Sequence, residues 1–275
     1  MNHIIVTEAS KNMRAMAREA LAGKWQIAAV ATLVYLVAIM LPTTILNIFF
    51  GGELGYSGLS SLYTLLVTGP FTVGYSMFCL NLFRNQEIEV AQVFYGFERF
   101  GKAFGLCFMM GLFVFLWSLL LVIPGIIAAY RYSQAFLIMI DHPEYGIMQC
   151  LAESKRLMTG NKMKYFCMEL SFIGWVLLAI IPTMILNGIV SVVYPYAMAG
   201  VTGEIVSYIG MIGFIWLQPY MSVAGVAFYE LANGNLRPGI IEGNATIVED
   251  NRQYTAETFI EENKENLDSG NNDQL

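Results

Sequence analysis

From Gln26 to Phe50 the chain runs without one charged side chain. About 20 apolar residues of helix span the roughly 30 Å hydrocarbon core of a bilayer, so this run is long enough to cross it. Similar runs follow, and together they predict six spans at 26–50, 60–83, 104–123, 126–141, 165–189 and 205–231. Inside lipid no water bonds to backbone N–H and C=O groups, which leaves helices and closed barrels as spanning structures. Continuous apolar runs lack the alternation of barrel strands. The expected fold class is therefore all-α, a polytopic membrane protein. Composition agrees, with 56% of residues hydrophobic and 13% charged, against about a quarter charged in a soluble domain. The first run is too long for a cleaved signal peptide, and no small-residue cleavage site follows it.

Charge placement sets the orientation. Lys11, Arg14, Arg18 and Lys24 precede the first span, and Arg84, Arg99 and Lys102 separate the second from the third. Lys155, Arg156, Lys162 and Lys164 separate the fourth from the fifth, and Arg237, Arg252 and Lys264 follow the sixth. The opposite connections, 51–59 and 190–204, contain no Lys or Arg. Because cytoplasmic loops carry the excess of Lys and Arg, both termini are expected in the cytoplasm. Residues 1–233 carry 12 basic and 12 acidic side chains, and residues 234–275 carry 3 and 9. The net charge of −6 thus belongs to the tail alone. We expect a membrane domain over 1–233 and an acidic, disordered cytoplasmic tail over 234–275. No basic patch with interleaved aromatics points to nucleic acid.

The inner segments have helical periodicity. "KNMRAMAREALAGKW" (11–25) repeats Met13, Ala17, Ala20 and Leu21 on one side, and "PEYGIMQCLAESKRLMTG" (143–160) does so with Ile147, Leu151 and Met158. Both predict amphipathic helices lying at the inner membrane surface. There Arg14, Arg18, Lys24, Lys155, Arg156, Lys162 and Lys164 would meet anionic lipid headgroups.

The chain also resembles itself. "LPTTILN" (41–47) returns as "IPTMILN" (181–187), identical at five of seven positions, each after an amphipathic segment with a glycine and a lysine. "GPF" (69–71) and "QPY" (218–220) occupy matching places in the spans that follow. With "FGKAF" (100–104) and Pro124 between them, the pattern is three hairpins of one orientation. Such repeats frame a pathway at their interface in many transporters, and they also arise by duplication without one. Pro42, Pro70, Pro182 and Pro219 interrupt spans 1, 2, 5 and 6 as helix kinks, each freeing a carbonyl that a polar neighbour must satisfy. Pro124-Gly125 is expected to be the turn of the central hairpin, because proline cannot continue the preceding hydrogen-bond ladder.

Two charges fall inside the predicted spans away from the last two residues of any span, where Asp141 and Glu230 lie. Arg131 lies in the fourth, among Tyr130, Tyr132, Ser133 and Gln134, and an arginine in hydrocarbon costs at least roughly 2.5–3.5 kcal/mol. It either serves a function or snorkels to the headgroups and pins the hairpin. Glu169 lies near the start of the fifth span, where it would pair with Arg131 or with Lys162 and Lys164. Cys79, Cys107, Cys150 and Cys167 have no metal-ligand spacing, and none of the usual hydrolase or phosphate-loop motifs occurs. No metal, cofactor or reaction is implied.

"MAREALAGKW", "LLLVIPGI", "ESKRLMTGNKMKYF", "LSFIGWVLL" and "PYMSVAGVAFYEL" together resemble the bacterial integral membrane family called domain of unknown function 975, over most of residues 13–232. The "PGI…R" and "ES-RLM-G" elements resemble, more distantly, the membrane domain attached to glycerophosphoryl diester phosphodiesterases, whose catalytic domain is absent here. The resemblance implies a bacterial plasma membrane protein with no assigned activity. Arg131, Glu153, Ser154, Arg156 and Gly160 fall on its recurrent positions. We expect a non-enzymatic accessory or scaffold engaging anionic lipid or an envelope membrane protein. The alternative is a small transporter, channel or export/immunity-type protein with a path near Arg131.

Overall fold

The computed structural model describes residues 4–51, 57–193, 208 and 211–236. Among these no strand occurs. The tail beyond Leu236, the connection 52–56 and most of 194–210 lie outside the described residues. Among the described residues, five helices are long and apolar enough to cross a membrane. They are α2 (Trp25–Phe50), α3 (Gly58–Phe83), α4 (Phe100–Leu120), the pair α5 (Val122–Tyr132) and α6 (Ala135–Asp141), and α9 (Ile173–Val193). The sixth predicted span is represented by α10 (Phe214–Asn233), and its first residues, apart from Tyr208, lie outside the description.

Three shorter amphipathic segments wrap the bundle. α1 (Ser10–Leu21) buries Met13, Ala17 and Leu21, the 3.6-residue stripe its sequence predicts. Burial of Met13 and Leu21 stabilises its docking by roughly 1.5–3 kcal/mol each, and a charge at the wholly buried Ala17 would break it. A 3-10 segment, Val90–Phe97, precedes α4. α7 (Ile147–Leu157) buries Cys150, Leu151, Ser154 and Leu157. These apolar faces meet protein: α1 packs on α10, the 3-10 segment on α3, and α7 on α6. The buried residues of these segments thus lie against other helices of the chain. At one seam backbones nearly touch. A Cβ on Gly74 would fall 2.0 Å from the Val93 carbonyl oxygen, and one on Gly96 would fall 2.0 Å from that of Pro70.

Two expectations are corrected. The chain turns between α4 and α5 at the single extended residue Leu121, not at Pro124-Gly125. Pro124 sits in the first turn of α5, where its missing N–H costs nothing, and Gly125 lets α5 lie against Ser118. The fourth span accordingly starts four residues before the expected 126, and its 20 residues, Val122–Asp141, are about 30 Å of helix. The fifth is broken at Ser171–Phe172, between α8 (Lys162–Leu170) and α9, so Glu169 lies on α8 and outside the apolar span.

Helix continues through Pro42, Pro70, Pro182 and Pro219. At Pro42 the freed carbonyl is that of Ala38, and the Tyr63 hydroxyl donates to it at 2.6 Å. The threonines near Pro42 and Pro70 bond within their own helix, Thr43 to Ile39 O and Thr72 to Thr68 O.

Candidate functional site

The fourth span breaks at Ser133–Gln134, and the side chain that bridges the break comes from α7. Ser154 Oγ donates to the Arg131 carbonyl at 3.0 Å and accepts the Gln134 N–H at 3.2 Å. One buried hydroxyl thus satisfies a donor and an acceptor that the helix leaves open. Gln134 is fully buried and donates through Nε2 to Ser133 Oγ, while its Oε1 is buried without a hydrogen-bond partner. Arg131 Nε is also buried and unbonded, and Arg131 makes no ion pair among the described residues. The Arg131–Glu169 pair is not formed. Glu169 Oε2 instead accepts from the Tyr130 hydroxyl at 2.7 Å. The break therefore gathers a cation, an amide and the Tyr130 phenol, which holds the Glu169 carboxylate, with unused bonding capacity at Arg131 and Gln134.

A second cluster was not foreseen from sequence. Arg84, just past the end of α3, forms a fork with Asp141 at the end of α6: Nη1 to Oδ1 and Nη2 to Oδ2, both 2.7 Å. Its Nε donates to Glu230 Oε1 on α10 at 2.7 Å. Tyr229 donates to Asp141 Oδ2 at 2.9 Å, and Asn235 donates to Glu230 Oε2. Glu230 is buried at 4% exposure. Burial alone would lower the Arg84 pKa, but the bonds and charges of Asp141 and Glu230 hold it above the ordinary value. Planar guanidinium suits this two-pronged, three-bond geometry, and lysine would not replace it. Each residue alone looks like a charge at the end of a span. The signal available in sequence was positional: Arg84, Asp141 and Glu230 each close the returning helix of one predicted hairpin.

The seven cations assigned to headgroups divide. Arg14 Nη1 donates to Ser171 O at 3.0 Å and its guanidinium lies over the Phe172 ring. Lys24 donates to Asn85 Oδ1 at 2.7 Å, and burial lowers its pKa. Arg156 binds Glu153, whose carboxyl that bond holds below its usual value despite partial burial. Lys164 donates to Thr7 O at 3.0 Å. Arg18, Lys155 and Lys162 make no side-chain hydrogen bond or ion pair among the described residues.

No curated protein and no solved structure matches this chain. The family model described as "Protein of unknown function (DUF975)" matches residues 6–124 and 118–235. With that much of its length covered, the chain belongs to the DUF975 family.

Proposed function

We propose that the protein is a non-enzymatic scaffold of the bacterial plasma membrane, with six spans in three hairpins, both termini in the cytoplasm, and its inner face seated on anionic lipid. The observation that carries this reading is the division of the inner cations. Four are consumed by bonds within the chain, whereas Arg18, Lys155 and Lys162 on α1, α7 and α8 are left to solvent or lipid. A cation near an anionic leaflet contributes about 1 kcal/mol. The cyclic packing supports the three-hairpin reading, because each amphipathic segment rests on the returning helix of another unit. Gly23 (φ 74°) and Gly160 (φ 75°) adopt the same left-handed backbone at matching places before α2 and α8, which favours repeated units.

Thermal unfolding in nanodiscs tests the lipid reading. Wild type should melt several degrees higher in phosphatidylglycerol than in phosphatidylcholine, and Lys155→Gln with Lys162→Gln should remove much of that increment. Equal melting in both lipids would reject it. The transport reading keeps one observation in its favour, the buried and unbonded Arg131 Nε and Gln134 Oε1. Under that reading, a cysteine placed at Gln134 in a Cys-free background reacts with water-soluble thiol reagents; under the scaffold reading it does not.

A further inference from the structure

An open groove of about 520 Å³ runs between α2, α9 and α10, lined by Arg18, Trp25, Trp175, Leu178, Pro182, Trp216 and neighbours. That volume lies within the roughly 300–1,000 Å³ of ligand sites. Its walls are apolar and its one charged side chain is Arg18. Three of the chain's four tryptophans line it, and Trp175, Leu178 and Trp216 are each more than half exposed. Tryptophan favours the membrane–water boundary, where its ring is apolar and its N–H is wet.

The groove has a direction. On α9, Trp175 and Pro182 are seven residues apart, and so are Tyr220 and Gly213 on the α10 side, about 10 Å of helix in each case. Gly213 lies against Ala179, where a Cβ would fall 3.2 Å from the Ala179 side chain, and Trp25 meets Tyr220 edge-on at 6.3 Å. The Trp25–Tyr220 end is therefore the Arg18 end, and the Gly213–Pro182 end lies deeper along α9. Arg14, four residues before Arg18 on the same helix face, is already tied to Ser171 O and Phe172. Arg18, with no partner among the described residues, is left at the mouth of an apolar slot.

We propose that this groove holds one anionic phospholipid, with its phosphate on the Arg18 guanidinium and an acyl chain along Leu178, Pro182 and Trp216. Charge complementarity selects the headgroup, since guanidinium binds phosphate oxygens two at a time, and the apolar walls select a chain. The direction of the groove matches a lipid of the inner leaflet. This assignment rests on the orientation proposed above, but it concerns one bound molecule rather than the general contact of Lys155 and Lys162 with the leaflet.

Native mass spectrometry of delipidated full-length protein, mixed with phosphatidylglycerol or phosphatidylcholine, tests it. Wild type should retain one phosphatidylglycerol per chain, at least about tenfold more often than phosphatidylcholine. Arg18→Gln should abolish that preference and Arg18→Lys should keep part of it. Leu178→Trp should fill the slot and exclude both lipids, with circular dichroism reporting that the variant folds. Lys155→Gln with Lys162→Gln should leave the retained lipid in place, so that the failure of the leaflet reading is distinguishable from the failure of this one. Equal retention of the two lipids by wild type, an unchanged preference in Arg18→Gln, or lipid retained by a folded Leu178→Trp would each overturn the proposal. A polypeptide crosslinked through a photoreactive group at Trp216, in place of lipid, would overturn it in favour of a protein partner.

Discussion

α3 and α9 are both long apolar helices, yet they live in different surroundings. α3 has a mean hydropathy of 1.3 and 61% of its most apolar stretch is buried in protein; α9 has 2.1 and 0%. The more hydrophobic helix is the more exposed one, the reverse of what water-soluble folds teach. In lipid there is no hydrophobic force between helices, so association depends on close packing and hydrogen bonds. α3 accordingly carries Gly69, Gly74, Ser60, Asn81 and Tyr75 on buried positions, where small residues admit neighbours and polar ones bond. Tyr75 does so through the Thr32 hydroxyl of α2 at 2.8 Å. α9 buries none of its apolar stretch fully and, apart from Thr183, Asn187 and Ser191, is apolar.

The comparison breaks most easily at the end of α3. Arg84→Met leaves Asp141 and Glu230 without their cation, and removing one partner of a buried pair costs about 3–5 kcal/mol. In detergent unfolding curves this variant should be the least stable of the set. Leu177→Ala on α9, at a site 56% exposed, should shift stability by less than about 0.5 kcal/mol. Similar losses in the two variants would refute the contrast. Glycine substitutions sharpen it. Gly96→Ala forces a Cβ into the Pro70 carbonyl and should cost about 1–3 kcal/mol, whereas Gly188→Ala on α9, with nothing within 4 Å, should be neutral or slightly stabilising.

Ser154→Ala strands the Gln134 N–H and the Arg131 carbonyl, and should cost about 1–3 kcal/mol. Hydrogen exchange at Gln134 should accelerate with it, while Ser154→Thr keeps the bridge. The smallest effect concerns Glu153. Its folded-state pKa is depressed, so its contribution is present above the unfolded value of about 4.3 and fades as pH falls through the folded one. Glu153→Gln should lower the melting temperature by about a degree at pH 7 and by progressively less as the pH falls through the folded-state value, because partly exposed pairs contribute little.

Much of the fold was legible in the sequence. The runs 26–50 and 60–83 became Trp25–Phe50 and Gly58–Phe83, because lipid demands unbroken apolar helix and little else produces it. The breaks at Ser133–Gln134 and Ser171–Phe172 were not legible, since neither holds proline or glycine and the first depends on a serine twenty residues away. Glu169 was placed in a span for the same reason: the apolar run reads through the break. The Arg84 cluster joins residues 57 and 146 positions apart, a distance no local pattern encodes. The packing partners of α1 and α7 were not legible either, because a sequence shows that a face is apolar and not whether lipid or protein covers it.

The docking of α1 on α10 has a consequence for the order of synthesis. The first helix of the chain covers the last, and Arg84 waits for Glu230. At roughly 5–20 residues per second, about 10–40 s separate the appearance of Leu21 from that of Phe214. During that interval the Met13–Ala17–Leu21 stripe lacks the helix that supplies most of its contacts in the finished chain. A ribosome that stalls before α10 therefore leaves an apolar stripe near the start of the chain without its main partner.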